Sequence, residues 1–269
     1  VVLEMDRTTE TNKRWWSKGY ARRWIFLLLI VAAWDAVFRF GLYEGFLMPS
    51  PSDVAATFWR GLADGSFLAG TLVSLKRIIV GYLISLLVGV TLGFLIGRFQ
   101  ILDDTLGSLI FGLQTIPSIC WLPFAILWFG LSETAILFVV VMGAVLSIAI
   151  ATDDGVKNTS PLLIRAGRTM GIKGIKLYLW VILPSALPAI VSGMKLGWSF
   201  AWRSLMAGEL LFVSAGVGQL LTVGRDLNDS SLVIAVMIVI VFIGLTFEKL
   251  IFGQMEKFIR RRWGLSGAS

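Results

Sequence analysis

The sequence predicts an all-α polytopic membrane protein, and three observations lead there. Apolar residues make up 57% and charged residues 15% of the 269 positions, where a soluble domain carries about a quarter charged residues. Six apolar runs are long enough to cross a bilayer, each about 18 residues or more. Basic residues gather in alternate connections, the asymmetry that orients spans in a membrane.

Taken in order, a basic tail (1–23) carries Arg7, Lys13, Arg14, Lys18, Arg22 and Arg23. No apolar core with a small-residue cleavage site precedes these charges, so the tail does not read as a signal peptide. Span one covers 24–43. Asp35 and Arg39 lie four apart on it and can neutralise each other on one helical face. In Pro49–Lys76, MPSPSDV is an extended start with Ser52 or Asp53 as a helix cap. Ala56–Leu68 is amphipathic, with Phe58, Trp59 and Leu62 on one side. It reads either as a helix lying on the outer leaflet or as a docking surface for another protein.

Span two (78–97) carries a ladder of small residues four apart: Gly81, Ser85, Gly89, Gly93 and Gly97. Such a ridge lets another helix approach closely. It serves either tight packing within one subunit or a sliding seam between subunits. Span three (106–129) is broken by Pro117 and Pro123, which flank Trp121. Each proline removes a backbone donor where water cannot replace it, a loss tolerated where the chain is buried in protein or lines a cavity. This span is therefore the candidate pathway wall, against the alternative of a simple kink. Span four is 134–151, span five 187–212 and span six 232–252. On span five, Lys195 is near enough to an end to snorkel. Arg203 lies deeper, and Glu209, six residues on, falls on another face. Arg203 can meet an anion, pair with a carboxylate of another span, or snorkel.

Between spans four and five, Ser160–Pro184 is too polar to span. Ser160 is placed to cap a helix, Pro161 fits its first position, and Gly171 can end it in a left-handed turn. A second short helix is expected from about Ile175 to Leu183, broken or kinked by Pro184. The loop carries Lys157, Arg165, Arg168, Lys173 and Lys176, and the C-terminal tail (253–269) adds Lys257, Arg260, Arg261 and Arg262. The opposite connections are poorer in basic residues, with Glu133 alone between spans three and four, and Arg225, Asp226 and Asp229 between five and six. Both termini and the hairpin are expected in the cytoplasm.

Several chemistries are excluded. There is no histidine, so neither Ser-His-Asp nor Cys-His catalysis nor a histidine-held metal is available. The lone Cys120 allows no disulfide framework. Asp153 and Asp154 invite a lipid-headgroup enzyme, but no further acid follows in the next forty residues to hold a metal. No phosphate-binding G-x-x-x-x-G-K-[ST] occurs, so energy for any pumping must come from a partner. No catalytic, cofactor or metal residues are assigned.

The hairpin resembles the cytoplasmic signature loop of bacterial ABC importer permeases: Glu-Ala-Ala, three residues, Gly, nine residues, Ile-x-Leu-Pro. Arg165 stands at the Glu position, Ala166 and Gly167 at the two alanines, with Arg168 beside them. Gly171 stands at the Gly, Val181 at the Ile, and Leu183 and Pro184 match outright. Arg165 reverses the usual charge, which bears on the polar contact that the Glu makes rather than on hairpin geometry. The segments LMPSPSDV, SLKRIIVGYLISLLVGVTLGFLIG and IPSICWLPFAILWFG resemble the nitrate/sulfonate/taurine/bicarbonate branch. The resemblance implies the type I importer fold, six transmembrane helices with spans two to six as a five-helix core and span one added. It implies a bacterial inner-membrane permease, paired as a homodimer or with a related permease. Two ATPase subunits holding ATP and Mg would dock on the hairpins, and a periplasmic or lipid-anchored binding protein would deliver a small anion. Nucleic acid has no place in this scheme. A heterocyclic vitamin precursor is the alternative cargo. A self-sufficient secondary transporter or channel is the rival class, but it would show repeated halves with paired broken helices, and only one span here is broken.

Overall fold

The structure, a computed structural model, describes residues 2–41, 47–211 and 215–263, with side chains except those of 2–20 and 260. Two compact units emerge, 1–64 with 224–235, and 65–223 with 236–269.

In the first unit, α1 (Val2–Arg39) contains most of expected span one; its residues 42 and 43 lie outside the described residues. Arg39 donates to Asp35 at 2.6 Å, the neutralising pair expected from their spacing. Trp34 donates its indole N–H to the carbonyl of Pro49 at 3.1 Å. Helix α2 (Pro51–Ala63) begins at least two residues earlier than the expected caps imply, because Pro51 takes a first-turn position where no donor is needed. Ser50, not Ser52 or Asp53, is the cap, its hydroxyl accepting from the Asp53 N–H at 3.1 Å. The helix stops before Leu68. Trp59 and Leu62 are exposed and Phe58 is half-buried.

In the second unit, α3 (Ser66–Arg98) runs twelve residues further N-terminal than span two. The short α4 (Gln100–Leu102), a π-helical turn Asp103–Gly107 and α5 (Ser108–Gln114) form one arm of span three. A 3-10 turn and α6 (Leu122–Phe129) form the other, and the arms meet at 104°. The break lies at Thr115–Pro117 alone. Pro123 does not break anything: it sits in the first turn of α6, where its missing N–H has no partner to lose. Helix α7 (Glu133–Lys157) is span four extended at its C-terminal end. After α8 (Pro161–Thr169) and the short α9 (Ile175–Leu177), a π turn Tyr178–Ile182 leads without interruption into α10 (Leu183–Leu211). Then come α11 (Val217–Asp226) and α12 (Ser230–Phe247), whose residues 224–226 and 230–235 are counted with the first unit, followed by a π turn Glu248–Phe252 and α13 (Gly253–Arg262). Residue 212, the expected end of span five, and 264–269 of the tail lie outside the described residues.

Among the described residues, four helices are long and apolar enough to cross a membrane, or five if the bent pair is one span. The expected six is not reached. The difference is span one, where the described part of α1 carries Arg22, Arg23, Asp35 and Arg39.

Helix α7 is the core, packed between α3 and α10. The ladder of α3 faces it. A Cβ on Gly81 would lie 2.7 Å from Val140, on Gly89 2.9 Å from Ile148, and on Gly97 2.8 Å from Val156. Ser85 is fully buried and donates to the Gly81 carbonyl at 2.7 Å. The ladder is thus covered by this chain's own α7, which removes the reading of a sliding intersubunit seam. The other side of α7 repeats the device against α10: Gly193 meets Ala151, and a Cβ on Gly197 would lie 2.8 Å from Ile148. Close backbone approach on both sides leaves little room for added volume. A Cβ on Gly93 would overlap the Ala149 carbonyl and approach Thr152 to 2.7 Å. Gly93→Leu should therefore lower the detergent-solubilised Tm markedly, at an overpacking cost of about 1–3 kcal/mol or more. Gly112→Ala, where a Cβ meets open space, should leave Tm unchanged; equal Tm values for both variants would contradict this packing.

Candidate functional site

The hairpin is built by glycine. Gly171 has φ +81°, the left-handed conformation that L side chains resist. The Ile172 N–H donates to the Gly167 carbonyl and the Gly171 N–H to the Arg168 carbonyl, both at 3.0 Å. This paired closure is a Schellman motif. Gly167 is buried because the returning arm lies on it: a Cβ there would come 2.9 Å from Leu177 and 3.0 Å from Val181. Gly174, φ +59°, completes the reversal. Ser160 occupies the cap position, but its side chain makes no capping bond; its carbonyl accepts from Leu163 and Ile164 instead.

Of the two expected effects of Pro184, a break does not occur: the helix runs through it after a local π-helical widening. The Leu183 N–H donates five residues back, to Tyr178, and the widened turn absorbs the donor that Pro184 lacks. The returning arm is thereby the first part of a continuous helix, 175–211. A push on the hairpin bears directly on α10. Arg165, Ala166 and Arg168 are exposed on α8, beside exposed Leu162 and Met170. Leu183 and Pro184 are half-buried in α10. Arg98, at the end of α3, lies over the Tyr178 ring at 4.3 Å, and Lys157 binds Asp103 at 2.6 Å and Asp153 at 2.7 Å. These contacts tie the hairpin end of the bundle together. Among the described residues no cluster of acidic or thiol groups could hold a metal ion.

A second feature lies at the break in span three. Thr115, Ile116, Pro117 and Ser118 line a cavity of about 210 Å³ whose other wall is Gly143 of α7 with Phe200 and Arg203 of α10. Arg203 Nε donates to the Ser199 carbonyl of its own helix at 3.1 Å, and its guanidinium lies over the Phe200 ring at 5.0 Å. No carboxylate pairs with it among the described residues, so its charge is presented to the cavity. Trp121 and Pro123 do not line this cavity. Trp121 instead packs edge-on against Phe138, ring centres 6.5 Å apart, in an aromatic cluster with Phe124 and Trp128. The Lys195 ammonium meets Glu248 at 3.1 Å, and both side chains are partly exposed.

A third feature was not anticipated. At the end of the bundle away from the hairpin, Glu209 of α10 is completely buried. Ser74 donates to it at 2.7 Å, Arg77 at 2.8 Å and the Gly218 N–H at 2.9 Å. Arg77 also donates to the Ala215 carbonyl and, through Nε at 2.7 Å and a second nitrogen, to Glu133 at the start of α7. Gly216 and Gly218 have no side chain because Glu209 fills that space; a Cβ on Gly216 would lie 2.6 Å from its carboxylate. One guanidinium thus joins α3, α7, α10 and the start of α11. The signal was present: Ser74 and Arg77 share a helical face, and a lone acid within an apolar helix demands a partner.

Residues 85–263 match the family described as the binding-protein-dependent transport system inner membrane component. A protein of Escherichia coli (strain K12) described as an aliphatic sulfonates transport permease is 30% identical over 221 residues, 82% of this chain and 84% of the relative. The nitrate import permease of Leptolyngbya laminosa is 30% identical over 195 residues, 72% of this chain and 70% of its own length. Among solved structures, a chain of the inward-facing MetNI methionine ABC transporter superposes with a TM-score of 0.62 at 20% identity, covering 72% of this chain and 94% of that one. That likeness concerns the fold.

Proposed function

The chain belongs to the binding-protein-dependent transport system inner membrane component family, a multi-pass ABC permease family, and on that premise we propose that it forms the membrane path of an ATP-driven importer for a small anion. The relatives named for sulfonates and nitrate support the cargo class. The observation that carries it is Arg203, a guanidinium with no carboxylate partner among the described residues, facing a cavity beside a broken span. Such a charge raises the local positive potential, which favours an anion without any catalytic group. The chain is a permease subunit, not an enzyme. ATP and Mg are held by two ATPase subunits that dock on hairpin 160–184, which lies in the cytoplasm with both termini. A second permease copy completes the path, and an external binding protein delivers cargo across the inner membrane of a bacterial cell.

Reconstituted with its ATPase and binding protein, the permease should take up radiolabelled nitrate or taurine. Arg203→Gln should cut that uptake on the order of tenfold while ATP hydrolysis persists, and Arg203→Lys should lose less. Unchanged uptake by Arg203→Gln would remove Arg203 from the path.

A further inference from the structure

We infer that one face of α10 is a two-step anion track, with Lys195, latched by Glu248, forming a second anion site beyond the Arg203 cavity. The inference rests on the reading of Arg203 as part of the path.

Lys195, Ser199 and Arg203 lie four residues apart, so they stack on one face of the helix. The two cations are separated by about 12 Å along the axis. Three cavities follow this face and share walls. The Arg203 cavity, about 210 Å³, adjoins one of about 340 Å³ lined by Arg203, Ser199, Trp202 and Glu248. That one shares Ser199 with a third of about 360 Å³, lined also by Ser192, Lys195 and Glu256. Sharing Arg203 and Ser199 as walls, the three cavities lie side by side along this face, with a hydroxyl midway between the two cations; in the inferred track they form one trough.

The two cations differ in what holds them. Arg203 leans on a backbone carbonyl and a ring, and an anion arriving there displaces no carboxylate. Lys195 is occupied by Glu248 at 3.1 Å, and both side chains are partly exposed. An ion pair of that exposure is weak and exchangeable. Cargo reaching Lys195 must displace Glu248, and the returning carboxylate expels the cargo. The trough thus combines an open entry charge with a self-clearing exit charge, as a path that must release its cargo requires. Glu248 opens a π-helical turn, the kind of local widening that often accompanies function.

The test uses the assembled complex in native membranes, with Cys120→Ala as background and single cysteines at Ser118→Cys or Ser199→Cys. Reaction rates are measured with an anionic sulfonatoethyl and a cationic trimethylammonioethyl methanethiosulfonate, each normalised to a small free thiol. Both positions should prefer the anionic reagent. Glu248→Gln, by unmasking Lys195, should raise that preference at position 199 about fivefold and leave position 118 unchanged; Lys195→Gln should lower it at 199. Preference at 118 with none at 199, or no response at 199 to Glu248→Gln, overturns the second site and leaves the Arg203 reading standing. Indifference at 118 as well brings down that reading too. Reaction at 199 only with a lipid-soluble maleimide places this face against lipid, where an anionic headgroup rather than free cargo would meet Lys195, and also overturns the track.

Discussion

Glu209→Ala is expected to be the most destabilising single change in this chain's polar interior. Glu209 is inaccessible to solvent and bonded to Ser74, Arg77 and the Gly218 N–H. Its removal leaves the buried Arg77 with only Glu133 and the Ala215 carbonyl, and leaves the Gly218 donor without an acceptor. Breaking one side of a buried ion pair costs about 3–5 kcal/mol, because the surviving charge has lost its solvation twice over. The purified variant should show a large fall in Tm, or fail to yield monodisperse protein. Glu209→Gln keeps the volume but not the charge and should fall between. Arg77→Met in the Glu209→Gln background should recover part of the loss, since the two residues act as one unit and their effects are not additive. Wild-type thermal stability in Glu209→Ala would show that the cluster does not hold the helix ends together.

That cluster also marks the limit of what the sequence discloses. Periodicity and apolar length locate helices one at a time, so α3, α7, α10 and α12 were legible, as was the interruption at Pro117. Their ends were not. Thr71, Ser74, Lys76 and Arg77 look like a polar approach to a span, yet they continue α3 because Ser74 and Arg77 find partners 132 or more residues away. Pro184 looks like a boundary, but the π turn before it lets the helix pass through. The glycine ladder announced a close contact without saying with what; only α7, bearing Val140, Ile148 and Val156 at the matching heights, resolves it. Arg203 could be recognised as unpaired on its own helix, whereas the Lys195–Glu248 pair joins positions 53 residues apart and has no local signature.

The hairpin carries the other large expectation. Gly171→Val should abolish co-purification of the ATPase while the chain still inserts and folds. At φ +81° a side chain meets no neighbour, so the cost is wholly in the backbone. A left-handed residue costs roughly 1–2 kcal/mol for an ordinary side chain, and branching at Cβ adds to it. The chain can relieve that strain only by opening the Schellman closure, which fixes the angle between α8 and the returning arm. Gly171→Asn, which tolerates this conformation, should retain the ATPase and separates geometry from mere loss of glycine. Gly167→Val should reproduce the defect by a different route, since its added carbons would push away Leu177 and Val181 and with them the start of the continuous helix 175–211. The readout is the ATPase recovered with affinity-tagged permease from solubilised membranes, normalised to the permease itself. If Gly171→Val and Gly167→Val both retain the ATPase in full, docking does not depend on the hairpin's shape, and the path from ATP hydrolysis to α10 must run through another part of the chain.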